Sequence, residues 1–297
     1  VKSVLAQSYS SIEIIIINDG STDNTLNIAE QLKQSHECIK IVSIENSGPA
    51  IAREHGRQLA NGEFIQYLDS DDLLHKEKFR KQVTVLKKNA GIGVAYCIQE
   101  LCDDHGNIVD PAWMRSAETF KTMFPAMLGG RIWGTPVPLY RATLLEKAGP
   151  WLNLSNQEDW EYDCRIASLN VKLHHCSETL VTIRQHNGDH LGQVGENKQK
   201  FIDKATSYLE IYKHALSAQI DKKNVESIRF NRMTFMLARQ CASKGLIPQS
   251  KKLMEICNEG TASVKRKVEY KLYSVLSTFF GWQNIAKLTT YADRIFR

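Results

Sequence analysis

In Ile12-Glu13-Ile14-Ile15-Ile16-Ile17-Asn18-Asp19-Gly20-Ser21, an almost unbroken β-branched run ends at an acidic, glycine-containing turn. β-branched side chains favour the extended chain, and a run without polar alternation suits a strand buried on both faces of a sheet. The pattern repeats outward from there. Thr25 to Gln34 carries Leu26, Ala29 and Leu32 on one helical face, and Ile39 to Ile44 is a second apolar run. Gly48-Pro49 opens a helix from Ala50 to Ala60, which Asn61-Gly62 closes. Glu63 to Leu68 reads as a third strand and runs straight into Asp69-Ser70-Asp71-Asp72. Strand alternating with helix predicts an α/β fold with a mostly parallel sheet. Carboxylates then stand at the carboxyl ends of two strands, where open α/β sheets bind ligands.

Further along, Leu73 to Lys88 reads as a charged helix, and Gly93 to Glu100 and Val171 to Ile183 as strands. Asp103-Asp104-His105-Gly106-Asn107 is a turn joining two strands. After about residue 198 the apolar residues recur every three to four positions, as in Phe201, Ala205, Tyr208, Tyr212 and Leu216, which predicts an all-helical region. The expected division is a catalytic domain over 1–195 and a helical region over 196–297. Charge divides along with it: residues 200–297 hold 18 Lys+Arg against 8 Asp+Glu, and the remainder 20 against 25, within a total of +5.

At 297 residues and 42% hydrophobic content the chain can bury a large core. No apolar run approaches the roughly 20 residues that cross a bilayer, and Val1-Lys2-Ser3-Val4-Leu5 lacks the long apolar region of a secretory signal. The expectation is a cytoplasmic chain that is not a membrane-spanning synthase. Its seven cysteines are scattered without a C-x-x-C pair, so reduced thiols are expected rather than zinc ligands or disulfides. Asn153-Leu154-Ser155 matches a glycosylation sequon but reads as a loop ahead of a helix. The basic C-terminal helices admit two readings: a bundle packed on the catalytic domain with solvated charges, or peripheral contact with the inner face of an anionic membrane. No nucleic-acid motif accompanies the charge.

Asp69-Ser70-Asp71 fits a clamp for magnesium or manganese, which prefer carboxylate oxygens and phosphates. Asp72 reads as a cap for the following helix. Ser155-Asn156-Gln157-Glu158 resembles a capping box ahead of an apolar stretch, which places Asp159 in a first helical turn where the macrodipole favours its ionised form. Trp133 and Trp160 are candidates either for stacking on an acceptor sugar or, at least as readily, for core.

Taken in order, Ser8-Tyr9, Glu13 to Ile17, Asn18 to Thr25, Asn46 to Ala50, Ala52-Arg53, Gly62 to Ile65, Leu68 to Asp72, Gly149-Pro150-Trp151 and Glu158-Asp159-Trp160 resemble glycosyltransferase family 2 over roughly residues 1–190. That resemblance implies a GT-A fold, and an inverting, metal-dependent transfer of a sugar from a nucleotide-diphosphate donor, UDP in the commonest case. The acceptor would be a hydroxyl of a saccharide or lipid-linked envelope glycan. By matching position, Asp19 would bind the base, Arg53 would lie near the donor, Asp69 would contact the ribose and Asp71 would coordinate Mn2+ or Mg2+. Asp159 would be the general base. His186, just past a strand, would join the metal or diphosphate, with His190 and His174-His175 as competitors. Two departures stand out. Asn18 occupies a position where the family commonly has Asp, and the family's first strand would precede Val1, so that neighbouring strand edges are expected to be exposed. The alternative functions are a non-catalytic nucleotide-sugar-binding scaffold and a nucleotidyltransferase.

Overall fold

The computed structural model describes residues 1–185 and 197–295, with side chains to residue 289. These residues divide into two compact units. The first comprises 1–123, 131–153 and the described part of 169–191; the second comprises 124–130, 154–168 and the described part of 192–297. The units are therefore not the contiguous blocks 1–195 and 196–297. Two earlier segments join the C-terminal helices because Trp160 packs its ring edge-on to Tyr208 and Phe230, with centroids 5.2 and 6.0 Å away, and donates its indole N–H to the Met127 carbonyl at 2.7 Å.

In the first unit the order is α1 (Lys2–Leu5), β1 (Ile14–Asp19), α2 (Thr25–Ser35), β2 (Ile39–Ile44), α3 (Pro49–Leu59), β3 (Phe64–Ile65), β4 (Leu73–Leu74), α4 (Lys78–Lys88), β5 (Ile92–Cys102), β6 (Ile108–Asp110), β7 (Leu139–Arg141) and α5 (Ala142–Ala148). Strand β8 (Lys172–Arg184) completes it. β1 pairs with β2 in parallel, Ile14 opposite Ile39 through Asp19 opposite Ile44. The remaining strands form a second ladder in the order β3-β7-β5-β8-β4, with β6 on β5. Only β5–β8 is parallel there, so the sheet is mixed rather than mostly parallel. A hairpin places β6 antiparallel to β5 and β7 also runs antiparallel to it, whereas the β1-α2-β2 crossover keeps its strands parallel. The turn at 103–107 joins β5 to β6 as expected, with Asp103 accepting the N–H groups of His105 and Asn107.

Ile14 to Ile17 are half-buried rather than buried on both faces, because among the described residues β1 has a partner strand on one edge only. The chain from Glu63 to Leu68 is shorter as a strand than expected: only Phe64 and Ile65 pair, with β7. The helix expected from Leu73 starts at Lys78, since Leu73 and Leu74 are taken up as strand partners of Thr182 and Val181. Val83, Leu86, Ala95 and Leu139 form the core between α4 and the sheet, with Tyr9, Phe64 and Ile92 packed against it. Lys78 is buried there too, held by the side-chain oxygens of Gln66 and Gln82, and burial pushes its amine down to about 8.

The second unit consists of a 3-10 turn (Ala126–Gly129), α6 (Glu158–Ser168), α7 (Lys198–Ser217), α8 (Val225–Ser243), α9 (Ile247–Gly260), α10 (Val264–Phe280) and α11 (Trp282–Ile295). Among the described residues no helix is long and apolar enough to cross a membrane, and the seven cysteines are free thiols.

Candidate active site

Asp19 closes β1, and the turn after it needs glycine. Gly20 has φ +69°, and a Cβ there would stand 2.9 Å from the Asn46 nitrogen. That close approach brings the 46–48 loop over the strand end. The N–H groups of Ser47 and Gly48 donate to the two Asp19 carboxylate oxygens at 2.7 and 2.8 Å. Asp19 thus anchors the loop that starts α3, and each of its oxygens keeps a further lone pair for a ligand. Asn18 is buried and uses both halves of its amide: its NH2 donates to Ser43 on β2, and its oxygen accepts the Ser21 N–H. A carboxylate there could not donate to Ser43, which makes the asparagine a structural fit to this turn.

Arg53, one turn into α3, reaches Asp69 with an N–O distance of 2.9 Å. Its guanidinium carbon stands 5.2 Å from the Trp151 ring centroid, and Trp151 in turn donates to the Tyr67 hydroxyl at 3.1 Å. The Trp151 N–H donates to Glu54 at 3.1 Å. Two of the expected donor-binding residues are therefore in contact, on a platform of which the sequence marked only Trp151, in a Gly-Pro-Trp motif.

Asp69, Asp71 and Asp72 follow β3. Asp71 is half-buried, and Arg184 at the end of β8 donates its Nε–H to the Asp71 carbonyl. Asp72 does not cap a helix. It is buried, and its carboxylate accepts the Arg184 backbone N–H at 3.2 Å. Burial first, and then the charges of Asp69 and Asp71, push its carboxyl up to about 7. The cluster's donors are hard oxygens, so it fits a divalent cation. Among the described residues no three His, Cys, Asp or Glu side chains converge as a finished cage. A cation held there would draw on one or two carboxylates and on ligand phosphate, as magnesium sites commonly do. His186 lies outside the described residues. The competitor His175 is stacked on Tyr96 at 4.7 Å, and burial lowers its proton affinity.

Asp159 belongs to the second unit. It is the second residue of α6, half-buried, and accepts the Trp160 N–H at 2.7 Å. Ser155 does not close a capping box: its N–H and hydroxyl both donate to Asp203 on α7. α6 is fixed instead by Trp160 and by Glu161, which is fully buried and bonded to Arg165 at 3.0 Å and to His214 at 2.9 Å. Burial alone would raise the Glu161 carboxyl, but the His214 and Arg165 hydrogen bonds outweigh it and hold it below the usual range. Of the two readings open for Trp133 and Trp160, stacking surface or core, core is the one found: they are 0% and 3% exposed.

Residues 1–139 match the profile described as Glycosyl transferase family 2, a span that includes Asp19, Arg53, Asp69 and Asp71. An uncharacterized glycosyltransferase of Nostoc sp. is 32% identical over 155 residues, covering 50% of this chain and 48% of the relative. Another, of Haemophilus influenzae, is 36% identical over 108 residues, covering 36% and 43%. The chain spans about half the length of these curated relatives, at 48% and 43%. Among solved structures, S. aureus TarS 1–349 in complex with UDP superposes with a TM-score of 0.66 at 16% identity, over 98% of this chain and 86% of that one. A mannosyltransferase from Pyrobaculum calidifontis, PcManGT in complex with GDP-Man and Mn2+, gives 0.51 at 13% identity, over 96% and 78%. At these identities the likeness bears on fold, and the fold is α/β of the GT-A type with a helical C-terminal region. Residues 1–139 are thus similar to glycosyl transferase family 2.

Proposed function

We propose that this protein transfers a sugar from a nucleotide-diphosphate donor, UDP-linked in the first instance, to a hydroxyl of a saccharide or lipid-linked glycan, with inversion at the anomeric carbon. The observation that carries the reading is the acidic cluster after β3, where the charges of Asp69 and Asp71 add to burial in pushing Asp72 up to about 7. Asp19 and the loop it anchors receive the base, and Arg53 holds Asp69 in position for the ribose. Asp71 holds Mn2+ or Mg2+, with His186 as a second ligand. When bound, the cation neutralises charge on the departing diphosphate. Asp159 accepts the proton of the acceptor hydroxyl as its oxygen bonds to the anomeric carbon and the bond to the diphosphate oxygen breaks. One displacement from the face opposite the leaving group inverts the configuration.

A donor screen tests this reading. The protein is incubated with UDP-, GDP- and TDP-sugars and oligosaccharide acceptors, with Mn2+, Mg2+ or EDTA, and free nucleoside diphosphate is measured. Metal-dependent release with one nucleotide class is expected. Release of pyrophosphate instead would replace the proposal with nucleotidyl transfer, and binding of donor without any release would replace it with a scaffold role.

A further inference from the structure

α10 buries one side and leaves the other in water. Tyr270, Tyr273 and Ser277 are buried, the Tyr270 hydroxyl donates to Asn231 at 2.8 Å, and Phe235 lies against both tyrosine rings. Facing away from them, Val264, Val268, Leu272, Val275 and Phe279 are 76, 61, 55, 50 and 80% exposed. At about 100° per residue these side chains fall within an arc of roughly 80°, a continuous stripe along some four turns of helix. A helix that only walls a bundle turns polar residues outward; on α10 the outward face is apolar. Its edges are cationic. Exposed Lys267 and Lys271 run along one side and exposed Lys265 stands on the other, while the helix's acidic residue, Glu269, is paired with Arg266.

We infer that this face of α10 docks on the surface of an anionic lipid bilayer, with the helix axis in the plane of the membrane. The apolar stripe enters the headgroup–acyl boundary and the flanking lysines meet lipid phosphates. Charge complementarity selects this occupant over a second copy of the chain. A two-fold contact would set the same lysines against themselves, in a region with 18 Lys+Arg and 8 Asp+Glu. Anionic headgroups offset that charge. The surface stands independently of the proposed transfer chemistry.

The test is co-sedimentation of the full chain with phosphatidylcholine vesicles, with and without phosphatidylglycerol, at low and physiological salt. Binding is expected only to the anionic vesicles, and more weakly at the higher salt. Leu272→Glu with Phe279→Glu should lower partitioning at least about tenfold. Both positions are exposed, so an unchanged circular dichroism spectrum and urea midpoint are expected. Lys265→Gln, Lys267→Gln and Lys271→Gln together should lower it about a hundredfold at low salt. No binding at either salt overturns the inference, as does binding that neither set of changes affects. Self-association that the Glu substitutions abolish, without vesicle binding, overturns it in favour of a second copy.

Discussion

Asp71 stands one residue from a buried carboxyl that its own charge helps to push up to about 7, and a bound cation would relieve that crowding. Asp71→Asn removes an anionic oxygen donor from a set of one or two, so Mn2+-dependent affinity for UDP should fall roughly ten- to a hundredfold while metal-free affinity is unchanged. Titration calorimetry with and without Mn2+ checks this, and equal metal dependence in the variant would remove Asp71 from the metal site. Asp19, Asp69 and Asp71 follow strand ends that local sequence makes visible, whereas the donor-binding roles expected of Asp19, Arg53 and Asp69 came from the family resemblance. The buried state of Asp72 could not. It depends on Arg184, more than a hundred residues away, whose backbone N–H fills the acceptor that a helix cap would have used. Trp133 and Trp160 stayed open between surface and core for a related reason, since an aromatic in an apolar run looks the same whether it lines a groove or fills a core.

α6 shows what holds a candidate base in place at the scale of an element. Glu161 is fully buried between Arg165 and His214, so Glu161→Ala leaves a largely buried guanidinium and an imidazole without their carboxylate and should cost about 3 kcal/mol at pH 7, read from urea unfolding. The pH dependence has a definite sign. The folded-state value lies below the unfolded value of 4.5, so the unfolded chain binds more protons in that window. The Glu161 contribution is therefore complete above about pH 4.5, and it is lost as pH falls through the folded value. The difference between wild type and Glu161→Gln should shrink on acidification over that window, and a difference constant from pH 7 to 3 would contradict the network. Helices from residue 198 onward were legible because apolar residues recur at the helical period. β3 and β4 were not, since two-residue strands are defined by pairing with β7 and β8 rather than by their own composition.

Across the whole molecule, the change from an acidic first part to a basic C-terminal part was visible in the charge count, and the helical region followed it. The contiguous boundary failed because 124–130 and 154–168 join the C-terminal helices through Trp160, Tyr208 and Phe230 contacts that no local pattern announces. The same limit applies to α10. Its composition mixes cationic and apolar residues, and only the buried set of Tyr270, Tyr273 and Ser277 identifies the opposite face as the exposed one. Asp159, outside the 1–139 match and in the second unit, is the residue on which the proposed transfer chemistry depends. The most direct test compares wild type and Asp159→Asn with the accepted donor and acceptor, measuring nucleoside diphosphate release and, by NMR, the anomeric configuration of the product. An inverted product is expected from wild type, and for the variant a rate lower by at least about a thousandfold with donor affinity preserved. Near-normal turnover by Asp159→Asn, or a product that retains the donor configuration, would contradict the proposed chemistry.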